Sequence, residues 1–301
     1  MKPPPLGYSR PESVSEALAI LAATGHGTKV LAGGQSLVPL LSMRLATPAH
    51  LVDINRLHEL GYVRVENGQV HVGALARHAE VLANQAAAQA QPLLAKALSF
   101  VAHAAIRNRG TTVGSLVHAD PAAEMPAVLA LLGGTVRLAS RDGQREVAAD
   151  EFFVGPLESA VLPSELATEA LFPVLANTAG TGFAEVSRRR GDYAVCGVAA
   201  MVVLGDNGRL CSARAAYLSV GPSPQVVDLT DAVVDQPPQA VDLTAAAKLA
   251  GQQLDPEADI HATADYRRHL AGVLTKRALH EALGEAKNRL NAVGQMVNEA
   301  S

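Results

Sequence analysis

The feature that most restricts the fold of this chain is a short glycine-containing run, Ala32-Gly33-Gly34-Gln35-Ser36-Leu37. The residues before it, 29–32, predict a strand, and the residues after it predict a helix that Ser36 caps. Glycine lets the backbone approach a ligand closely, and unpaired N–H groups at the start of a helix attract negative charge. Spacing alone leaves two interpretations open: an anion-binding nest, or a tight turn with a helix cap and no ligand.

A second run of small and hydroxyl-bearing residues covers positions 107–120 and leads into a predicted helix at 122–132. Its centre reads Arg109-Gly110-Thr111-Thr112-Val113-Gly114-Ser115. Two such loops in one domain favour a ligand with two phosphates, and Glu124 or Asp120 could then accept hydrogen bonds from a polyol. The alternative is a surface loop in which Asp120 caps the following helix.

The remaining pattern predicts an α+β chain. Strands and helices alternate over the first 55 residues, which favours parallel pairing. Hairpin signals at Arg141-Asp142-Gly143 and Asp206-Asn207-Gly208 predict antiparallel strands later in the chain. The longest apolar run, residues 194–204, predicts a buried strand because it is too short to span a bilayer. We expect a domain boundary near residues 177–182, which are rich in Gly, Thr and Ala, and a loosely held tail after about residue 286.

Composition excludes several classes of protein. The chain has 301 residues, a net charge of −4 and 49% apolar residues, which argues against extended disorder and against a nucleic-acid interface. The two cysteines, Cys196 and Cys211, cannot supply the four ligands of an iron–sulfur cluster. No metal-binding or Rossmann pattern is present. We also expect no membrane span and a cytoplasmic location.

Four ordered motifs give the chain a resemblance to one family. They are Ala-Gly-Gly-Gln-Ser-Leu at 32–37 with Leu-Val-Asp-Ile-Asn at 51–55, Ile-Arg-Asn-Arg-Gly-Thr at 106–111 with His-Ala-Asp-Pro-Ala-Ala-Glu at 118–124, Arg-Arg-Arg-Gly-Asp-Tyr-Ala at 188–194, and Asp-Tyr-Arg-Arg-His-Leu at 265–270. Over residues 1–285 the chain resembles the FAD-binding (medium) subunit of molybdenum hydroxylases, as in carbon monoxide dehydrogenase medium chains and xanthine dehydrogenase FAD subunits.

The resemblance implies the fold and its division into domains. An FAD-binding domain of the vanillyl-alcohol-oxidase or PCMH type, built from two α/β subdomains, is expected over residues 1–176. A small domain of antiparallel strands and helices, similar to the C-terminal domain of carbon monoxide dehydrogenase flavoproteins, is expected over residues 177–285. Residues 286–301 form the predicted tail.

The resemblance also implies non-covalent FAD and a set of contacts to it. The backbone of Gly33, Gly34, Gln35, Ser36 and Leu37 is expected to hold the pyrophosphate, and Thr111, Gly114 and Ser115 to form a second clamp. Glu124 is expected to face the ribityl or phosphate region and Tyr193 to lie near the isoalloxazine. The same motifs add Ala32, His118 and Asp120 as candidate contacts, and no catalytic residue is assigned.

The function implied by the resemblance is electron transfer within a larger complex. A large molybdopterin subunit would oxidise the substrate, and a small subunit with [2Fe–2S] clusters would relay electrons to this chain and on to an external acceptor. The complex is expected to be a dimer of heterotrimers. Two alternatives stay open: a self-contained flavin-dependent dehydrogenase or oxidase of the same fold, and a nucleotide-binding or assembly module without a redox role.

Two residues depart from the family pattern. Val113 stands where the family usually has glycine, and a β-branched residue resists a positive φ. That position is therefore expected to avoid the left-handed region, or the loop follows a different path. Glu185 stands where relatives often carry Lys, so the usual positive charge near the cofactor is expected to be missing or supplied by Arg188.

Overall fold

A computed structural model describes residues 2–299 of the chain, with side chains described through residue 292. The strands are β1 (Gly7–Ser9), β2 (Thr28–Leu31), β3 (His50–Asp53), β4 (Val63–Glu66), β5 (Gln69–Gly73), β6 (Thr135–Ser140), β7 (Gly143–Ala148), β8 (Phe153–Gly155), β9 (Glu158–Ser159), β10 (Leu166–Pro173), β11 (Ala179–Ser187), β12 (Ala194–Leu204), β13 (Leu210–Leu218) and β14 (Gln225–Asp228).

The α-helices are α1 (Val14–Thr24), α2 (Leu37–Met43), α3 (His78–Ala83), α4 (Gln85–Ala90), α5 (Pro92–Leu98), α6 (Ala104–Arg107), α7 (Thr112–His118), α8 (Glu124–Leu132), α9 (Ala149–Phe152), α10 (Thr230–Val233), α11 (Leu243–Gln253) and α12 (Ala264–Glu299). A 3₁₀ turn covers His58–Leu60. Contacts divide the chain into two units, neither of which is continuous in sequence. The first unit comprises Met1–Ala87, Ala102–Asp120 and Gly133–Pro173, and the second comprises Ala88–Val101, Pro121–Leu132 and Val174–Ser301.

The first unit contains a small parallel sheet and a larger antiparallel one. The small sheet has the order β1-β3-β2, with Tyr8 opposite Leu51 and Val30 opposite Val52. The larger sheet has the order β4-β5-β10-β6-β7. Alternating apolar side chains on these strands are buried, Val52 and Val136 among them, and their removal from water supplies most of the driving force for folding. The parallel pairing predicted for the first 55 residues is confirmed.

The second unit is an antiparallel sheet covered by a long helix. Its strand order is β11-β12-β13-β14, and α12 lies across β11 and β12. Tyr217 on β13 is fully buried, and its hydroxyl lies 2.7 Å from the hydroxyl of Thr275 on α12. Strand β12 coincides with the apolar run at residues 194–204, so the prediction of a buried strand there is confirmed.

Two elements differ from the sequence-based predictions. The tail predicted after about residue 286 begins inside helix α12, which continues through Glu299, and Ala286 itself is fully buried in the helix–sheet core. That the tail is loosely held stays a prediction. The last two residues of the predicted tail, Ala300 and Ser301, lie outside the described part of the chain. Residues 179–182, predicted to lie at a domain boundary because of their small side chains, belong to strand β11. Placement of the boundary itself at residue 177 stays a prediction.

Candidate functional site

The first loop, residues 32–36, connects the end of β2 to the start of α2. Gly34 has a φ of +71°, a conformation that an L side chain adopts only at a cost. Within the described residues, the backbone N–H groups of Gly33, Gly34, Gln35 and Ser36 donate to no protein acceptor. The side chain of Gln35 folds back and donates to the Gly33 carbonyl over 3.1 Å. The loop thus presents four successive unpaired donors, which is the arrangement of a backbone anion nest.

Ser36 precedes α2, but it does not cap the helix as predicted. Its φ and ψ of −98° and −48° are already helical, and its hydroxyl makes no capping hydrogen bond. A capping side chain needs an extended backbone at this position to reach the next turn. The prediction of a Ser36 cap is therefore wrong, and the Ser36 hydroxyl stays available for another partner.

The second loop, residues 107–111, ends in a helix that the sequence reading missed. Residues 112–118, predicted to be loop, form helix α7, and Thr111 caps it by accepting a hydrogen bond of 3.1 Å from the N–H of Gly114. Val113 lies in this helix and is only 2% exposed. Its backbone is helical, so a β-branched side chain is tolerated where the family usually has glycine. Of the two outcomes expected for Val113, avoidance of the left-handed region is the one observed.

The hydrogen bonds of α7 limit how the second loop can bind a ligand. The N–H of Gly114 is already paired with Thr111, and the N–H of Ser115 donates to the Thr111 carbonyl over 3.0 Å. The hydroxyls of Thr111 and Ser115 each keep a hydrogen atom to donate. Contacts from this loop to a ligand would therefore come from side-chain hydroxyls, whereas contacts from the first loop would come from the backbone.

The two loops lie against each other at Gly33. A Cβ built on Gly33 would lie 2.5 Å from the carbonyl oxygen of Arg109 and 2.7 Å from the Cα of Gly110. Real Cβ atoms do not make such contacts, so any larger residue would push the loops apart. The two glycine-containing segments that the sequence singled out are therefore neighbours in space, although 76 positions separate Gly33 from Arg109 in the chain.

Side chains that sequence reasoning did not single out support both loops. Asn55, just after β3, donates from Nδ2 to the carbonyl of Ala32 over 2.9 Å. Arg77, just before α3, donates from Nη1 to the carbonyl of Arg109 over 2.6 Å and from Nη2 to Oδ1 of Asn55 over 2.8 Å. The only sequence signal for this contact was the polar pair Asp53-Ile54-Asn55 at the end of a predicted strand.

The carboxylate of Asp53 and the phenol of Tyr8 hold the side chain of Asn55 in one orientation. Oδ1 of Asp53 accepts hydrogen bonds from Nδ2 and N of Asn55, at 2.6 and 2.9 Å, and the Tyr8 hydroxyl donates to Oδ2 over 2.6 Å. Burial raises the pKa of Asp53, but the hydrogen bonds from Tyr8 and Asn55 outweigh it, so the pKa lies below its ordinary value. Asp53 is therefore ionised at neutral pH and holds the Asn55 amide in one orientation.

His78 is packed under the second loop. It is 4% exposed, its Nδ1 lies 3.1 Å from the hydroxyl of Thr112, and a Cβ on Gly110 would lie 2.9 Å from its ring. Burial, with a smaller contribution from the positive charge of Arg107, lowers the pKa of His78 to about 4. A neutral imidazole at this point adds no charge beneath the loops.

His118 and Asp120 lie at the end of α7. Nε2 of His118 is 4.0 Å from Oδ2 of Asp120. Burial lowers the pKa of His118, the carboxylate of Asp120 partly opposes this, and Lys29 lowers it further. The imidazole is therefore mostly neutral near pH 7. Both residues belong to the first unit, as do the two loops, and their contact with a ligand stays a prediction.

Glu124, Tyr193 and Glu185 belong to the second unit, which is described by itself. Glu124 is the first residue of α8, and Tyr193 is 68% exposed. Oε2 of Glu185 is buried and, among the described residues, has no hydrogen-bond partner. Burial and the nearby carboxylate of Glu124 raise the pKa of Glu185 to about 8. Glu185 is thus mostly protonated at pH 7, and the roles predicted for Glu124 and Tyr193 stay predictions.

Matches to protein families cover almost the entire chain. Residues 4–175 match the FAD binding domain in molybdopterin dehydrogenase, and residues 181–282 match the CO dehydrogenase flavoprotein C-terminal domain. The chain therefore belongs to the family of FAD-binding medium subunits of molybdenum hydroxylases, a family of oxidoreductase subunits. The expected fold class, a PCMH-type FAD-binding domain followed by a small α+β domain, is confirmed, and so is FAD as the cofactor.

Individual relatives are similar over their full length. The 6-hydroxypseudooxynicotine dehydrogenase complex subunit alpha of Paenarthrobacter nicotinovorans is 40% identical over 288 residues, 95% of this chain and 97% of the relative. The caffeine dehydrogenase subunit beta of Pseudomonas sp. (strain CBB1) is 40% identical over 284 residues, 94% of this chain and 96% of the relative. A chain of carbon monoxide dehydrogenase from Hydrogenophaga pseudoflava superposes with a TM-score of 0.89 at 33% identity, covering 95% of this chain and 99% of that one.

The residues present fit the family's cofactor. The four amides of the first loop, unpaired among the described residues, and the left-handed Gly34 match the arrangement of a backbone nest, which is suited to anionic oxygens. Within the part of the chain that the structure describes, no helix combines the length and the apolarity that a bilayer crossing requires.

Proposed function

We propose that this chain is the electron-transfer subunit of a molybdenum hydroxylase complex. It would receive electrons from [2Fe–2S] clusters in a small partner subunit and deliver them to an external acceptor, while a large molybdopterin subunit oxidises the substrate. Family membership and the names of relatives, which are dehydrogenase subunits or medium chains, support this. We further propose a dimer of heterotrimers as the assembly.

The cysteine content supports this division of work. Cys196 is buried on β12, where burial raises the pKa of its thiol to about 12, and Cys211 is exposed on β13. Because a [2Fe–2S] cluster needs four ligands, usually thiolates, two separate cysteines cannot hold one. The one-electron carriers that serve the flavin would therefore lie in another subunit.

The single observation that carries the site assignment is the row of unpaired amides in the first loop. We propose that Gly33, Gly34, Gln35, Ser36 and Leu37, with Ala32 at the start of the loop, hold the FAD pyrophosphate through their backbone. Each hydrogen bond from an amide to a charged oxygen contributes about 1.5–3 kcal/mol, so three or four of them are enough to retain a dinucleotide. The bound cofactor supplies a ring that stores one or two electrons.

Side chains of the second loop and of α7 would complete the grip. The hydroxyls of Thr111 and Ser115 would donate to the same ligand. Gly114 would complete this clamp; an added Cβ there would lie 2.5 Å from Oγ1 of Thr111, so the glycine leaves room for the Thr111 cap. His118 and Asp120, at the other end of α7, are proposed as contacts to the same cofactor. Glu124 and Tyr193 are proposed as contacts on grounds of family resemblance alone.

A reconstitution experiment tests the electron-transfer role. The full chain, loaded with FAD, is mixed with an organic donor in the absence of oxygen and of any other acceptor, with and without the partner subunits. We expect the flavin absorbance to bleach only when the partners are present. Bleaching by the chain alone would contradict the proposal and favour a self-contained dehydrogenase. A chain that binds FAD but never exchanges electrons with its partners would instead favour an assembly role.

A further inference from the structure

A continuous path of side-chain hydrogen bonds joins the two loops. It begins at the carbonyl of Ala32 in the first loop, passes through Nδ2 and Oδ1 of Asn55 and through Nη2 and Nη1 of Arg77, and ends at the carbonyl of Arg109 in the second loop. Its three bonds measure 2.9, 2.8 and 2.6 Å. We call Asn55 and Arg77 together the brace.

The brace fixes the direction in which the first loop presents its donors. A peptide unit is planar and trans, so its N–H points away from its C=O. When Asn55 holds the carbonyl of Ala32, the N–H of Gly33 is directed to the opposite side. That N–H is the first of the four unpaired donors, so the orientation of Asn55 decides where the nest begins.

Both members of the brace are themselves held in place. Asp53 and Tyr8 fix the amide of Asn55, as described above. The backbone N–H of Arg77 donates to Oε2 of Glu80 over 2.8 Å, which fixes the chain where the Arg77 side chain leaves it. A planar guanidinium with two engaged donors also has a defined orientation that a flexible ammonium lacks.

Geometry, more than charge, distinguishes Arg77. Burial lowers its pKa, with the charge of Arg109 acting in the same direction, while the carboxylates of Glu80 and Asp53 oppose both. The net effect is a pKa for Arg77 below its ordinary value. What no neighbour replaces is the pair of directed hydrogen bonds that connects one loop to the other.

We propose that Asn55 and Arg77 are positioning residues that couple the two loops, so that FAD affinity depends on the bond between these two side chains. The proposal rests on the proposed function only in that the loops hold the pyrophosphate. It assigns no contact between the brace and the cofactor. We therefore expect substitutions in the brace to weaken the binding of every ligand that carries the pyrophosphate.

The test measures the dissociation constants of FAD and of ADP for the full-length apoprotein. The variants are Asn55→Ala, Arg77→Ala, the double substitution and Arg77→Lys. The matched control is Arg56→Ala, because Arg56 neighbours Asn55 in sequence but its guanidinium pairs with Glu12 at the surface over 2.8 Å. The thermal unfolding midpoint of each apoprotein is measured first. Each ligand titration is then made at a temperature well below that midpoint, so that the variant is folded.

We expect each single alanine variant to bind FAD about tenfold or more weakly, in line with the loss of a hydrogen bond that involves a charged group. ADP, which carries the pyrophosphate without the flavin, should lose affinity by the same factor. The double variant should be no weaker than the weaker single variant, because both residues act in one path. Arg77→Lys should not restore affinity, and the visible spectrum at FAD saturation should be unchanged.

Other results would overturn the proposal. Additive losses in the double variant would show that the two residues act separately. Full rescue by Arg77→Lys would show that charge, and not positioning, matters, and a changed visible spectrum would indicate general disturbance of the protein. If these variants bind normally while Gly34→Ala loses FAD, the brace proposal fails alone. If Gly34→Ala also binds normally, assignment of the pyrophosphate to the first loop fails.

Discussion

Two glycine-containing segments, one in each unit, differ in what happens to the backbone donors beside their glycines. In the first loop, Gly33 is buried against the backbone of residues 109–111 and Gly34 is half-buried, and among the described residues their N–H groups have no protein acceptor. In strand β11, Gly180 and Gly182 are buried under α12, and a Cβ on either would collide with the carbonyl oxygen of Ala282 or Ala278. Close backbone packing is therefore common to Gly33 and to the second pair, which lets a helix and a strand approach, but only the first loop keeps its N–H groups unpaired among the described residues.

The difference shows that a glycine motif does not by itself indicate a ligand-binding site. Absence of a Cβ permits close approach, but the approaching group can be a ligand or another part of the protein. The distinguishing property is the state of the neighbouring N–H groups. In β11 the N–H of Thr181 donates to Oε2 of Glu285 and the N–H of Phe183 to Oε2 of Glu281, at 2.8 and 3.1 Å. In the first loop the corresponding donors have no acceptor within the part of the chain that the structure describes.

The largest loss of stability is expected from Gly182→Ala, which tests the packing use of glycine. The added methyl group would meet the backbone of α12, so strand and helix must separate, and we expect a loss of about 3 kcal/mol in the free energy of unfolding. Chemical denaturation of the full chain measures it. The control is Gly284→Ala on the exposed side of α12, where no atom lies within 4 Å of an added Cβ, and a gain of about 1 kcal/mol is expected. Equal effects at both positions would contradict the packing role.

Gly34→Ala tests the binding use of glycine. A positive φ at an alanine costs about 1–2 kcal/mol, and an added Cβ would lie 3.1 Å from the side chains of Leu31 and Val38. We expect the loop to shift and FAD affinity to fall about a hundredfold, with a smaller change in the unfolding of the apoprotein. Fluorescence titration with FAD measures this. A large loss of apoprotein stability with unchanged FAD affinity would show that Gly34 serves packing of the protein and not ligand binding.

His78, which packs under the second loop, makes the stability of the folded chain depend on pH. A pKa of about 4 in the folded protein, against about 6.5 when unfolded, means that the unfolded chain binds the proton more readily between these values. Stability is therefore fully present above about pH 6.5 and is lost as the pH falls towards 4. Between pH 7 and pH 5 we expect a loss of about 2 kcal/mol.

The variant His78→Asn should flatten this dependence, and His58→Asn, at an exposed position, should leave it unchanged. Denaturant titrations of the apoprotein at several pH values give the slopes. An unaltered slope in His78→Asn would show that the loss arises elsewhere.

Glu185 gives the opposite pH dependence in the second unit. Its pKa of about 8 lies above the ordinary value of 4.5, so the folded protein holds a proton that the unfolded chain releases. The stabilising effect of the neutral form is present below about pH 4.5 and is lost as the pH rises through 8. Glu185→Gln should therefore stabilise the chain by about 4 kcal/mol at pH 8 and by very little at pH 4. The exposed Glu257→Gln serves as the control, and an equal gain at both pH values in Glu185→Gln would contradict the assignment.

Local patterns were enough to predict part of this fold. The buried strand at 194–204, the hairpin of β6 and β7 and the parallel pairing of β2 with β3 follow from apolar runs and turn residues that act over a few positions. Helix α7 was missed because Thr112, Val113 and Gly114 are weak helix formers. Burial of Val113 and Leu116 and the Thr111 cap, which depend on tertiary context, outweigh that weakness.

The two loops of the candidate site were predicted from the sequence, but the side chains that hold these loops in place were not. Motif resemblance found both glycine-containing segments, and the structure brings them into contact at Gly33. Asn55 and Arg77 were missed because their partners lie 23 and 32 positions away in the chain, and no local pattern records such bonds. The small residues at 179–182 were interpreted as a boundary, since the reason for their size is helix α12, about a hundred residues later.

A crystal structure of the full chain with FAD bound tests the central claim most directly. We predict that pyrophosphate oxygens accept hydrogen bonds of about 2.7–3.2 Å from the backbone N–H groups of Gly34, Gln35 and Ser36. Electron density that places the pyrophosphate away from residues 33–36, with those amides facing only solvent, would contradict it.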